Sequence, residues 1–258
     1  MRTDLQQITA EQWQRLSQRA VYFGHQSVGE NILDGIRMVV SENPQIQLRI
    51  VPKASAVSSP GLHEFEIGQN GDPESKNAAF LLAIQGDLGP RSVLLFKYCY
   101  VDTDDKTDVR TMFERYQRTV AAALSRHPDA DIVHITLPLV VESSLLRYYL
   151  NSVRGIATTR TENARRNEYN DMLRRTFAGK EPIFDLADIE ATRADGSRAQ
   201  VLLDGKPVYG LAEEWSSDGG HLNAAGRRYV AERLLATLAA LPGNGTTSPA
   251  TRTSSNNH

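Results

Sequence analysis

The run Val93-Leu94-Leu95-Phe96-Lys97-Tyr98-Cys99-Tyr100 is apolar or aromatic at every position but one. A strand of that kind must be covered on both faces, which is the condition at the centre of a parallel sheet. Ala20-Val21-Tyr22-Phe23-Gly24 has the same character, and Ile46-Gln47-Leu48-Arg49-Ile50-Val51 alternates, so one face of this second strand is expected to be less deeply buried. A fourth strand is expected over 131–139 and a short fifth over 182–186. Helical spacing fills the intervals: Ile32, Leu33, Ile36, Val39 and Val40 after the first strand; Phe80, Leu81 and Ile84 before the third; Met112, Tyr116, Val120 and Ala123 after it; Tyr169, Met172 and Leu173 before the fifth; Tyr229, Val230, Leu234, Leu235 and Leu238 at the end. Strands alternating with helices predict a flavodoxin-like three-layer α/β/α sandwich on a mainly parallel five-stranded sheet.

One domain is expected over 1–241, long enough to bury its core without disulfides or metal. Asp195-Gly196 and Asp204-Gly205 flank Val201-Leu202-Leu203 and predict a small surface hairpin. Residues 242–258 are mostly Gly, Ser, Thr and Asn and are expected to be disordered. A net charge of -2 argues against a nucleic-acid surface. With Cys99 alone and no H-x-x-x-H pair, neither a disulfide nor a metal site is expected. Residues 1–14 lack the apolar core of a secretory signal and no run of about 18 apolar residues occurs, so a cytoplasmic chain without membrane partners is expected; a chain lacking an upstream exporting segment would read the same. Composition says nothing about the oligomeric state.

The chemistry concentrates in Trp215-Ser216-Ser217-Asp218-Gly219-Gly220-His221-Leu222-Asn223, just before the last helix. An Asp three residues ahead of a His, with two glycines between, can turn its carboxylate under the imidazole and fix the ring's tautomer. The other reading is a polar pre-helix loop in which Asp218 or Asn223 caps the helix. A carboxylate and imidazole are useful if the second ring nitrogen meets a nucleophile, and parallel sheets present such groups where loops leave the strands. Ser27, in Phe23-Gly24-His25-Gln26-Ser27-Val28-Gly29-Glu30, is placed there. Ser27-Val28-Gly29-Glu30 is also a capping box, in which Ser27 would only start the helix.

The order of these blocks resembles that of the SGNH (GDSL-type) hydrolases across roughly residues 20–240. The last block, from Asp218 to Gly226, is the most specific piece, and Arg166 to Leu173 followed by Ile183-Phe184-Asp185-Leu186 is similar to the segment that precedes it. The resemblance implies that Ser27 is the nucleophile of an esterase or acetylesterase, with Asp218 and His221 completing the triad, no cofactor, and a small-molecule or glycan acyl ester as substrate. That family takes its oxyanion donors from the Ser backbone, a Gly after the second strand and an Asn in G-x-N-D after the third. Here the third strand ends Lys97-Tyr98-Cys99-Tyr100-Val101-Asp102 without an Asn. The loop Gly68-Gln69-Asn70-Gly71-Asp72 offers both types, so Ser27 N–H, Gly71 N–H and the Asn70 amide are the expected donors. His25, which with Gln26 replaces the usual Gly-Asp before the Ser, is a candidate substrate contact, as are Gln26 and Gly68; a packed loop residue is the alternative for His25.

Other chemistry-bearing residues read as structural. Cys99 belongs to an apolar strand where a thiolate is poorly stabilised. His134, in mid-strand, reads as a core histidine with its bonds made, His63 as an exposed loop residue with substrate contact as the alternative, and Asp102, Asp104, Asp105 and Asp108 as a solvated turn without the glycine of a calcium loop. The competing functions are a non-catalytic carbohydrate- or ligand-binding module on the same fold, and a nucleotide-binding protein, which lacks both G-x-G-x-x-G and a Walker pattern in the first loop.

Overall fold

Side chains on the central strands alternate strictly between two cores, and that alternation sets the layers. Val21, Phe23, Leu62, Val93 and Leu95 point to one face, where they meet Trp13, Ile32, Leu33, Ile36, Val230 and Leu234. Tyr22, Leu94 and Phe96 point to the other, onto Phe80, Tyr116 and Tyr169. The structure, a computed structural model, describes residues 4–52, 58–143 and 158–242. Residues 144–157 and the tail from 243, including the stretch expected to be disordered, lie outside the described residues.

The strands are β1 (Ala20–His25), β2 (Ile50–Pro52), β3 (Gly61–Glu66), β4 (Val93–Phe96), β5 (Asp131–Ile132), β6 (His134–Ile135), β7 (Ile183–Phe184), β8 (Gln200–Leu203) and β9 (Lys206–Tyr209). The helices are α1 (Ala10–Ser17), α2 (Val28–Glu42), α3 (Pro73–Ala83), α4 (Val109–Arg126), α5 (Thr159–Phe177), α6 (Leu186–Ala191) and α7 (Ala224–Ala239). The five-stranded sheet runs β2-β3-β1-β4-β5 with every pairing parallel. Helices cover both faces, giving the α/β/α sandwich. The β8–β9 hairpin turns through Asp204 and Gly205 at φ 50° and 75°, the left-handed pair that a two-residue hairpin demands.

The neighbour of β1 is β3 rather than the expected 46–51 strand. Ile46 and Leu48 are buried as their alternation suggested, but only 50–52 joins the ladder, at the sheet edge. β3 takes the inner position because Leu62, His63 and Phe65 are buried on both its faces. His63 is therefore a correction to the sequence reading: it lies inside, stacked on Tyr22 with ring centroids 4.9 Å apart, its Nε2 2.7 Å from the Ser59 carbonyl.

The expected fourth strand is short because it changes partners. Val133 N–H donates to Leu94 O on one side and His134 N–H to Pro182 O on the other, each at 2.9 Å. Beyond it, side chains replace a neighbouring strand: Asn170 Oδ1 accepts from Leu137 N–H (2.6 Å), Glu190 Oε2 from Leu139 N–H (2.7 Å) and Asn163 Oδ1 from Val140 N–H (3.2 Å). These bonds satisfy backbone groups that burial would otherwise leave unpaired. His134 is the satisfied core histidine expected, 2.8 Å from Tyr116 Oη and 2.7 Å from Glu181.

Candidate active site

Ser27 joins β1 to α2 with φ 55° and ψ -109°, a conformation that costs a non-glycine residue on the order of 1–3 kcal/mol. It occupies the N-cap position of α2, yet its side chain makes no capping bond. The hydroxyl is turned to His221 instead, with Oγ 2.8 Å from Nε2. The capping-box reading therefore does not describe this helix start. Gly29 explains how α2 begins so close to the strand, since a Cβ there would meet His25 Cβ at 2.3 Å.

His221 Nδ1 lies 2.7 Å from Asp218 Oδ2, while Asp218 Oδ1 accepts the backbone N–H groups of Gly220 (3.0 Å) and His221 (2.8 Å). Those bonds, the His221 N–H first, then Gly220 N–H and the His221 ring, hold the carboxyl down to about 2. An ionised carboxylate only accepts, so the ring proton belongs on Nδ1 and Nε2 is left to accept from the Ser27 hydroxyl. Gly219, at φ 98°, supplies the turn that folds this carboxylate back. Asn223, not Asp218, caps α7, its side chain accepting from Gly226 N–H at 2.9 Å.

Residues that the sequence did not single out fix these groups relative to one another. Asn31 on α2 accepts from Leu222 N–H at 2.9 Å, tying the histidine loop to the helix that follows Ser27. Its one signal is an amide beside Ile32 and Leu33 on an otherwise apolar face. Tyr100 sets its ring edge-on to His221, with centroids 5.8 Å apart. Burial, then the Asp218 charge, raises that phenol above its ordinary value.

The expected oxyanion donors fare unequally. Ser27 N–H stands at the start of α2. Gly71 N–H is a correction: it is donated to Asp102 Oδ1 at 2.8 Å and does not face the serine as a free donor. Asp102 itself is buried rather than part of a solvated turn, and its Oδ2 receives Lys76 Nζ and Cys99 N–H, each at 2.6 Å. Asn70 is exposed, with its carbonyl oxygen 3.0 Å from Lys76 Nζ. Each candidate substrate contact also has a place in the framework. His25 is buried with Nε2 3.0 Å from Glu64, and burial foremost lowers its pKa. Gln26 Nε2 donates to the carbonyls of Ile67 (2.9 Å) and Gly68, binding the Ser27 loop to the loop after β3. Gly68 is needed for close approach, since a Cβ there would meet Lys76 N at 2.4 Å.

Beside the Asp218–Gly220 turn opens a cleft of about 670 Å³, lined in part by Tyr100, Val140, Glu142, Glu162 and Arg166. Its floor is polar. Arg166 is buried and donates to Tyr100 O (2.9 Å), Asn163 Oδ1 (2.9 Å) and Glu162 (3.2 Å). Burial raises the Glu142 carboxyl. Among the described residues no cluster of His, Cys, Asp and Glu has the makings of a metal site, and no helix is long and apolar enough to cross a membrane.

No protein-family model matches the chain, and no curated protein sequence matches it. Solved structures do. A Streptococcus pneumonia protein provisionally described as a platelet activating factor shares 14% identity, with a TM-score of 0.51 over 91% of this chain and 94% of its own. A protein from Parabacteroides merdae, provisionally described as a GDSL-like lipase, also shares 14% identity, with a TM-score of 0.51 over 86% of this chain and 97% of its own. At such identity the likeness is one of fold. The chain has the SGNH (GDSL-type) hydrolase fold in a divergent form.

Proposed function

We propose that the protein is a serine esterase acting on a small-molecule or glycan acyl ester. The observation that carries this reading is the unbroken chain Ser27 Oγ, His221, Asp218, at 2.8 and 2.7 Å, on a serine whose strained backbone keeps its hydroxyl out of the helix cap. Ser27 Oγ attacks the ester carbonyl as His221 Nε2 takes its proton. The imidazolium, steadied by Asp218, returns that proton to the departing alcohol. Water repeats the sequence on the acyl-serine, and no cofactor is required. Ser27 N–H, at the positive end of α2, and the Asn70 amide stabilise the tetrahedral oxyanion. The cleft beside Asp218, with Glu142, Glu162 and Arg166 in its lining, suits a hydroxyl-bearing alcohol portion.

The test compares 4-nitrophenyl acetate turnover by the wild type and Ser27→Ala. A loss of about 10³-fold or more is expected from removing the nucleophile. Equal rates favour the non-catalytic binding module. Fluorophosphonate labelling is expected on Ser27, and a label on another serine overturns the assignment.

A further inference from the structure

Lys76 and Asp102 have side chains with no solvent exposure. A buried ion pair is costly unless its remaining hydrogen bonds are filled. Here they are filled by loops rather than by core. Asp102 takes Gly71 N–H and Cys99 N–H besides the ammonium, and Lys76 takes the Asn70 carbonyl oxygen. The pair thus joins the loop after β3 to the turn after β4, while Gln26 joins that same loop to Ser27. Three loops at the carboxyl edge of the sheet become one rigid piece.

The orientation of Asn70 follows from the chemistry of its partner. An amide end-for-end flip exchanges oxygen and nitrogen, but an ammonium has no acceptor, so the end facing Lys76 must be the carbonyl. The N–H2 is then the opposite end, and among the described residues it meets no acceptor. We propose that Lys76 is a positioning residue, whose buried ammonium locks the Asn70 side chain with its N–H2 turned outward as an oxyanion donor. This rests on the esterase reading above. The donor that the third block of this fold usually carries is supplied here from the preceding loop, and its direction is set by a buried charge.

The experiment is a double-mutant cycle in kcat and KM for 4-nitrophenyl acetate. Asn70→Ala is expected to lower kcat on the order of 100-fold with little change in KM, as for loss of one oxyanion donor. Lys76→Met, combined with Asp102→Asn so that no lone charge is buried, is expected to lower kcat nearly as far. Adding Asn70→Ala to that pair is expected to cost almost nothing more, because Lys76 acts through Asn70. Multiplying losses, or a Lys76→Met/Asp102→Asn enzyme with full kcat, overturn the proposal. Asn70→Asp is an independent check if that pair fails to fold: it keeps an oxygen for Lys76 but has no N–H, so wild-type turnover also overturns the proposal. Full activity of Asn70→Ala alongside an inactive Ser27→Ala refutes this inference and leaves the esterase reading standing; an active Ser27→Ala refutes that reading itself.

Discussion

Glu190 gives the sharpest quantitative expectation, because it is a carboxyl on α6 buried completely. Its Oε2 accepts from Leu139 N–H, while Oε1 has no partner. Burial raises its pKa from 4.5 to about 8, opposed by the Leu139 N–H and by the Lys97 and Arg166 charges. Lys97 is itself pushed down, by burial first. A carboxyl raised on folding favours the folded state fully below its unfolded value, and that advantage is lost as pH rises through the folded one. Between pH 4.5 and about 8 the unfolded chain releases a proton that the folded chain keeps. Stability should fall by about 1.4 kcal/mol per pH unit across that window, or on the order of 3 kcal/mol from pH 5 to 7.

Glu190→Gln removes this titration while preserving the shape and the acceptor for Leu139 N–H. Its amide N–H2 takes the place of the unpartnered oxygen at a cost of about 1–3 kcal/mol, which does not depend on pH. The diagnostic is therefore slope rather than height. Urea denaturation at pH 5, 6, 7 and 8 should show the variant gaining steadily on the wild type. Two parallel curves would mean that Glu190 is ionised in the folded protein and would refute the reasoning.

Two further substitutions probe the site and its frame. In Asp218→Asn, Oδ1 can keep both backbone N–H bonds, so the loop should hold and the melting temperature change little. The amide nitrogen would then face His221 Nδ1 and move the ring proton to Nε2, where it cannot accept from Ser27; kcat should fall by about 10³–10⁴-fold, and a smaller loss would argue against the tautomer assigned. Gly35 on α2 faces α7 so closely that a Cβ would meet Arg227 O at 2.1 Å. Gly35→Ala should destabilise by about 1–3 kcal/mol in urea despite the better helix propensity of Ala; an unchanged midpoint would show that the helices can separate without loss.

The parts legible in the sequence were those whose signal is local. β1, β4 and α2 show in unbroken apolar runs or helical spacing, and Asp218 to His221 in a glycine turn of defined length. β3 shows in the sequence only as a short extended piece around 65–67, because His63 reads as polar, though stacking on Tyr22 and a bond to Ser59 O make it a core residue. Asp102 lay in an acidic run that looks solvated, and Lys76 on a helix where lysine is ordinarily exposed. Nothing local pairs two charges 26 residues apart. Their burial follows from β3 and β4 lying on either side of β1, which brings the loops after them together.

The turn after β4 carries no asparagine, where the sequence resemblance implied one. That turn here contributes Tyr100, whose ring stands edge-on to His221, and Asp102, whose buried carboxylate takes the Gly71 N–H. A carboxylate left beside a developing oxyanion would oppose it. Lys76 answers that charge and, having a further donor to spend, engages Asn70. An Asp102→Asn substitution alone should leave the Lys76 charge unbalanced, so placing an amide at 102 should lower kcat for 4-nitrophenyl acetate, and an unchanged kcat would refute this.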